Sequence, residues 1–394
     1  MVTASPEATK TACLYPMPEN YLKEWSNFSH LWNDTARFEQ YICRAAELYS
    51  LREHCVSFNG HAYLVFGLVG LLSAVLSLII FCSPAYTNVL SYLMYKVIAG
   101  LEMVHMTVMI LLGIRHFIDC GLYFWCQFLS AHFSHFLLNT SAEAVDFIVL
   151  FLCIERTIAC LVPTFFKKVH HKLIFVTIIV AALIFSALMN FAIIFQSQVD
   201  YNEKFQKYQR PLSAFGKSTV FRFFSEVNAI RLCVTGAFII AATCCSIAGL
   251  LRARRNQRKL SRRRRHLLDN ACRQNGVLYE HVVEMCILQL CLAVPAVFNY
   301  TLLAAMRIIG LERVYLIGHD AFAHQLPYEE AMDEIVFFSR YHIMTSAVLT
   351  TNFLAHSFHF YLYLVFCANI RQSFFESCKE VLDSILRRCQ CKGG

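Results

Sequence analysis

Ionisable side chains interrupt several long apolar stretches of this sequence, at spacings that could support proton or metal chemistry. Glu102 and His105 lie three residues apart, and so do His356 and His359. Residues at this spacing share one face of a helix. Asp146 lies in another apolar stretch. Because an ionised side chain is costly to place in lipid, these five residues are the first functional hypothesis.

The chemistry open to this set is limited. Two histidines with two acids form an adequate ligand set for a metal ion, but the sequence contains no His-Glu-x-x-His motif. We therefore expect no metal and no cofactor. A chain of histidines and acids that relays protons stays open as an alternative, as does a polar core that does not switch.

Membrane-spanning helices are the elements that must position these residues. The chain has 394 residues, of which 57% are hydrophobic and 16% are charged. Soluble domains have roughly a quarter of their residues charged. So apolar a chain cannot cover its own surface with polar groups, and lipid removes that need. A helix needs about 20 apolar residues to cross a bilayer. The sequence predicts an all-α integral membrane protein, a seven-helix bundle with spans near residues 62–82, 91–114, 128–160, 173–195, 227–251, 277–306 and 341–366.

The basic residues predict the orientation of the bundle. The segment Arg252–Arg273 holds ten Lys and Arg residues, and the C-terminal tail is also basic. Such segments stay in the cytoplasm, so we expect a multi-pass plasma-membrane protein with its N-terminus outside. Asn27 and Asn33 begin acceptor triplets for glycosylation, which fit an exterior arm. The net charge of +8 then indicates contact with anionic membrane lipid and not with nucleic acid.

This topology divides the chain into three parts. Residues 1–60 form an extracellular N-terminal arm, residues 61–366 form the transmembrane domain, and residues 367–394 form a cytoplasmic amphipathic helix and tail. Cys389 and Cys391 in the tail are candidates for palmitoylation, and two unmodified thiols are an equal alternative.

The third and seventh spans carry residues that resemble a known family. Glu155-Arg156-Thr157, with Pro163 seven residues after the arginine, resembles the Asp/Glu-Arg-Tyr signature of rhodopsin-like G-protein-coupled receptors. His359-Phe360-Tyr361-Leu362-Tyr363 resembles the Asn-Pro-x-x-Tyr motif with its first two positions replaced. Pro295 stands where the family has the kink of the sixth helix. The missing family residues, including the Trp before Pro295, make the chain most similar to the chemosensory receptors of nematodes.

The resemblance implies a function and residue roles. It implies a receptor, not an enzyme, that binds an extracellular small molecule or peptide and activates a heterotrimeric G protein. Glu155, Arg156, Pro163 and Tyr363 would serve coupling, and the ionisable set would be a polar hinge that repacks between two states. A multi-pass transporter or ligand-gated channel is the alternative.

The family's usual disulfide joins the third span to the loop after the fourth. Cys126 matches its first partner, but residues 196–222 contain no cysteine. We expect Cys55–Cys126 instead, with Cys120–Cys126 as the alternative.

Overall fold

A computed structural model describes residues 35–83, 86, 90–118, 120–161, 171–203, 206–264, 286–298, 301–302, 328–376 and 378–379 of the chain. This part of the protein is mostly helical. We number its α-helices in chain order: α1 Thr35–Cys82, α2 Ser91–Phe117, α3 Phe124–Phe128, α4 His135–Leu161, α5 Lys172–Asn190, α6 Thr219–Arg264, α7 Cys286–Phe298, α8 Tyr328–Ser357 and α9 His359–Phe366.

Shorter elements join the helices. Cys120–Leu122 and Phe191–Phe195 are 3₁₀-helices, and Leu129–Ser134 is a π-helix that leads into α4. Strands β1 (Asp200–Asn202) and β2 (Lys207–Gln209) form an antiparallel hairpin between α5 and α6. Tyr201 pairs with Tyr208 in this hairpin.

Four of the described helical segments are long and apolar enough to cross a membrane: Ser50–Cys82, Ser91–Phe117, Phe124–Ala159 and Lys172–Phe195. They coincide with the first four predicted spans, which agrees with a membrane-embedded protein. The apolar part of α6, Val234–Gly249, and the helix α7 are shorter. The mostly helical fold is therefore confirmed, four of its helices suit a membrane by length and composition, and a count of seven spans stays a prediction.

The chain separates into two compact units. One comprises Met1–Ala62 and Leu302–Thr351, and the other comprises Tyr63–Thr301 and Asn352–Gly394. In the first unit, Asn59 Nδ2 donates to Ser346 Oγ at 3.2 Å and so ties α1 to α8. Part of the predicted arm is thus helical, because α1 begins at Thr35.

The helix α4 forms the core of the second unit. It packs against α2, α5 and α6. Its side chains Ala144, Ile148 and Leu152 are inaccessible to solvent and recur every four residues, the spacing of one helical face. Large apolar side chains such as Leu68 and Leu188 instead point outward on α1 and α5, as lipid-facing residues do.

A glycine allows α1 and α2 to approach closely. A Cβ atom on Gly113 would lie 2.8 Å from the backbone nitrogen of Leu64. Small residues permit such backbone contact between membrane helices. The contact fixes α2, which carries functional candidates along its whole length.

Candidate functional site

An arginine near the end of α4 is buried together with its own counter-ion. Arg156 and Glu155 are 4% and 5% exposed. Arg156 Nη2 lies 2.6 Å from Glu155 Oε2, and Arg156 Nε donates to the same oxygen at 3.1 Å. A buried charge is tolerated when it is paired and hydrogen-bonded. The structure therefore brings together the two residues of the predicted signature.

Ser91, the first residue of α2, completes this site. Arg156 Nη2 donates to Ser91 Oγ at 2.5 Å, and Ser91 Oγ donates to Glu155 Oε1 at 3.0 Å. The hydroxyl therefore accepts from the cation and donates to the anion. We call Ser91, Glu155 and Arg156 the balanced arginine site. It fastens the beginning of α2 to α4.

An aromatic cluster lies beside the balanced arginine site. Tyr95 follows Ser91 by one helical turn, and its ring centroid is 5.4 Å from that of Phe81 and 6.5 Å from that of Tyr363. The Tyr95 hydroxyl is buried and has no hydrogen-bond partner among the described residues. Tyr363, which sequence analysis predicted as a coupling residue, thus packs with aromatic side chains of α1 and α2.

Four of the five predicted polar hinge residues are brought together in the same unit. The imidazole of His359 pairs through Nδ1 with the Glu102 carboxylate, and both side chains are buried. The rings of His105 and His356 have centroids 4.8 Å apart. The pair Glu102 and His105 on α2 therefore meets His356 on α8 and His359 on α9.

Two histidine nitrogens of this cluster have no hydrogen-bond partner among the described residues. His105 Nδ1 donates to the Leu138 carbonyl at 3.1 Å, but its Nε2 has no partner among the described residues. His356 Nδ1 is likewise buried without a described partner. Asp146, the remaining member of the set, is also buried. No group of three or more His, Cys, Asp or Glu side chains in the described part of the chain is arranged to hold a metal ion.

A second buried ion pair joins α4 to α6. The Arg231 guanidinium pairs with the Glu143 carboxylate, whose other oxygen accepts from Asn190 Nδ2 at 2.8 Å. The guanidinium carbon also lies 5.8 Å from the centroid of the Phe147 ring. Three apolar helices therefore share one polar cluster.

Two arginines meet at the other end of α2. Arg115 Nη1 and Arg210 Nη1 both donate to Ser130 Oγ, the latter at 3.0 Å. Arg115 Nη2 also donates to Gln127 Oε1 at 3.3 Å. Ser130 is 3% exposed and lies in the π-helix, whereas both arginines are half-buried. We call Arg115, Arg210 and Ser130 the two-arginine site.

The hairpin β1–β2 positions Arg210 in this site. Arg210 directly follows β2, and the base of the hairpin is closed by the hydrogen bond from Gln198 N to the Pro211 carbonyl at 3.0 Å. Gly216 passes so near that a Cβ atom on it would lie 2.1 Å from the Gln196 carbonyl oxygen. Burial lowers the pKa of the Arg210 guanidinium.

The disulfide expectation was wrong in its preferred form. Cys126 is bonded to Cys120, and Cys55 carries a free thiol. The 3₁₀-helix at Cys120 and the short helix α3 turn the chain so that the two Cα atoms lie 5.5 Å apart, a usual separation for a disulfide. The alternative pairing is therefore the one observed.

The remaining predicted residues are Pro295 and five positions outside the described part of the chain. Pro295 lies within α7, and a kink there stays a prediction. The glycosylation, palmitoylation and Pro163 predictions lie outside the described residues, at Asn27, Asn33, Pro163, Cys389 and Cys391.

Sequence reasoning missed the serines and Arg231. An arginine in the predicted fifth span and Glu143 in the third are opposite charges within apolar stretches, which was a signal for a pair. Ser91 and Ser130 gave no such signal, because serine is common in membrane helices and carries no charge.

No family model matches this sequence, and a search of curated proteins finds no match either.

Proposed function

We propose that the chain is a seven-helix receptor of the plasma membrane, with its N-terminus outside, that binds an extracellular ligand and activates a heterotrimeric G protein. The balanced arginine site carries this proposal. In the resting state, Glu155 and Ser91 hold Arg156 between α4 and α2. Activation releases Arg156 toward the G protein.

The buried face of α2 supports a route between the two ends of the receptor. Ser91, Tyr95, Glu102 and His105 are all buried and are spaced three, four or seven residues apart. Such spacing forms one stripe along a helix. Because Glu102 pairs with His359, a movement of α9 against α2 displaces α2. That displacement strains the hydrogen bonds of Ser91 in the balanced arginine site.

The experiment needs no knowledge of the ligand. Glu155→Gln removes the negative charge that holds Arg156, so we expect agonist-free G-protein activation to rise, measured by dissociation of the G-protein subunits in cells. Adding Arg156→Ala in the same chain should abolish that activation while surface expression is retained.

Glu47→Gln is the matched control. It makes the same chemical change in a surface ion pair, where Glu47 lies 2.7 Å from Arg44. Normal agonist-free activation in Glu155→Gln, or activation that survives Arg156→Ala at normal surface expression, contradicts the proposed role.

A proton-coupled transporter is the second candidate, because buried histidines and Glu102 form one cluster. Reconstituted into liposomes, a transporter would carry protons at a rate that Glu102→Gln lowers. A receptor would show no such flux, with or without the substitution.

A further inference from the structure

The two-arginine site holds more positive charge than the described residues compensate. Arg115 and Arg210 donate to the same oxygen, so their donating nitrogens lie within about 6 Å of each other. Among the described residues, neither arginine forms an ion pair with a carboxylate. Like charges held this close repel each other, so the site favours an anion.

The hydrogen-bonding capacity of the site is largely unused. A guanidinium has five N–H donors, and a serine hydroxyl has one donor and two acceptor lone pairs. Arg115 makes two hydrogen bonds and Arg210 makes one within the described part of the chain. Ser130 accepts from both arginines, which leaves its hydroxyl hydrogen to donate. Several convergent donors with no acceptor match the lone pairs of one oxyanion.

The site combines buried and half-buried polar groups. Ser130 and Gln127 are buried, while the two arginines are half-buried. His135 lies within electrostatic reach of both guanidinium groups and adds no negative charge. The π-helix that carries Ser130 is a rare element that occurs often at functional sites.

An aromatic cluster is carried by the same segments as the charged groups. Tyr208 lies in β2, two residues before Arg210. Its ring centroid lies 5.6 Å from that of Phe124, which in turn stacks on Phe128 at 5.8 Å. A ligand whose oxyanion meets the arginines therefore has an apolar surface for its body.

We infer that the two-arginine site binds an oxyanion, a carboxylate or phosphate, borne by the ligand of this receptor. The inference rests on the proposed function, under which this end of α2 faces outside. The oxyanion comes either from a dissolved molecule or from the headgroup of an anionic lipid. Binding draws Arg115 and Arg210 together and so couples the hairpin to the end of α2.

The test measures binding to the purified full-length protein by its thermal unfolding midpoint, without any G protein. The probes in detergent are benzoate, its neutral counterpart benzamide, and inorganic phosphate. We expect benzoate or phosphate to raise the midpoint saturably and benzamide to leave it unchanged. In nanodiscs, a rise with phosphatidylglycerol over phosphatidylcholine would identify lipid as the source.

Variants locate the effect. Arg115→Gln and Arg210→Gln should each weaken binding about 10- to 100-fold, because each removes a charged hydrogen-bond donor. Arg210→Lys keeps the charge but not the fork of donors, so it should weaken binding less than Arg210→Gln does. It therefore controls for loss of binding through misfolding. Lys217→Gln removes an exposed charge from the same loop and should bind as the unchanged protein does.

Two results would overturn the inference. One is the absence of a saturable rise with benzoate, phosphate and phosphatidylglycerol alike, as expected if acids of the chain itself already neutralise the arginines. The other is a rise that survives both glutamine variants. Binding without G-protein activation would instead count against the proposed receptor function alone.

Discussion

A serine hydroxyl binds arginine at each end of α2, but the two ends differ in charge. At Ser91, one arginine and one glutamate share a serine hydroxyl, and all three side chains are buried. At Ser130, two half-buried arginines share a hydroxyl without a described carboxylate. Ser91 and Arg115 are 24 positions apart, which is about 36 Å along a helix.

The difference indicates a division of labour. At the balanced arginine site, Glu155 neutralises the buried charge of Arg156. This site can therefore hold α2 and α4 together without a ligand. No described carboxylate neutralises the second site, so we expect the two-arginine site to gain stability when an anion binds. Under the two proposals, one end of α2 holds the resting state and the other end binds an anion.

The largest effect should come from breaking the balanced arginine site. Arg156→Met leaves the Glu155 carboxylate buried without its cation, which should cost about 3–5 kcal/mol of unfolding free energy. The thermal unfolding midpoint of the purified protein would report the loss. The double variant Glu155→Gln/Arg156→Met should recover most of it, because no buried charge then remains.

Arg44→Met is the matched control, since Arg44 pairs with Glu47 at the surface. An exposed pair contributes at most about 1 kcal/mol. If Arg156→Met proved as stable as Arg44→Met, the balanced arginine site would not be the fastening between α2 and α4.

A glycine substitution tests how far the two-arginine site depends on its hairpin. Gly216→Ala places a Cβ atom 2.1 Å from the Gln196 carbonyl oxygen, so the hairpin that carries Arg210 must shift. Such overpacking costs about 1–3 kcal/mol. We expect faster amide hydrogen exchange in residues 196–218 and slower binding of an anion at the two-arginine site. The exchange rate at Ser91 should not change.

Gly100→Ala provides the comparison, because a Cβ atom there meets nothing within 4 Å. Alanine is favoured over glycine within a helix, so this variant should be slightly stabilised. Equal exchange rates in the hairpin of both variants would show that Gly216 does not fix the hairpin.

The smallest effect should come from removing one of the paired arginines without a ligand. Arg210→Gln loses one hydrogen bond but relieves the repulsion between two cations. We therefore expect the thermal unfolding midpoint to stay unchanged within the equivalent of about 1 kcal/mol. A loss as large as that of Arg156→Met would mean that an anion of the chain already completes this site.

Sequence alone predicted the parts of the structure that local rules govern. The apolar stretch at residues 91–114 became the helix Ser91–Phe117, because hydropathy identifies a helix that lipid can cover. Glu155 and Arg156 are neighbours in the chain, so their pairing followed from their position. The first part of α1, residues 35–61, was not predicted as helix, since that segment mixes polar and apolar residues.

Contacts between distant segments were the parts that sequence could not supply. Glu102 and His359 were both identified, but their pairing depends on how α2 packs against α9. The disulfide preference failed for a different reason, because a local turn after α2 brings Cys120 to Cys126 six residues later. Arg115 and Arg210 carry no signal in the sequence, since each is an ordinary basic residue until the hairpin brings Arg210 to Ser130.

A single serine substitution tests the role of the balanced arginine site most directly. Ser91→Ala removes the hydroxyl that joins α2 to Glu155 and Arg156. The control Ser134→Ala removes a hydroxyl whose one hydrogen bond within the described residues is to the Leu129 carbonyl of its own helical segment. We predict that Ser91→Ala raises agonist-free G-protein activation by up to about tenfold at equal surface expression, because the resting state loses about 1.4 kcal/mol. Ser134→Ala should leave agonist-free activation unchanged. Equal activation by both variants would contradict the account.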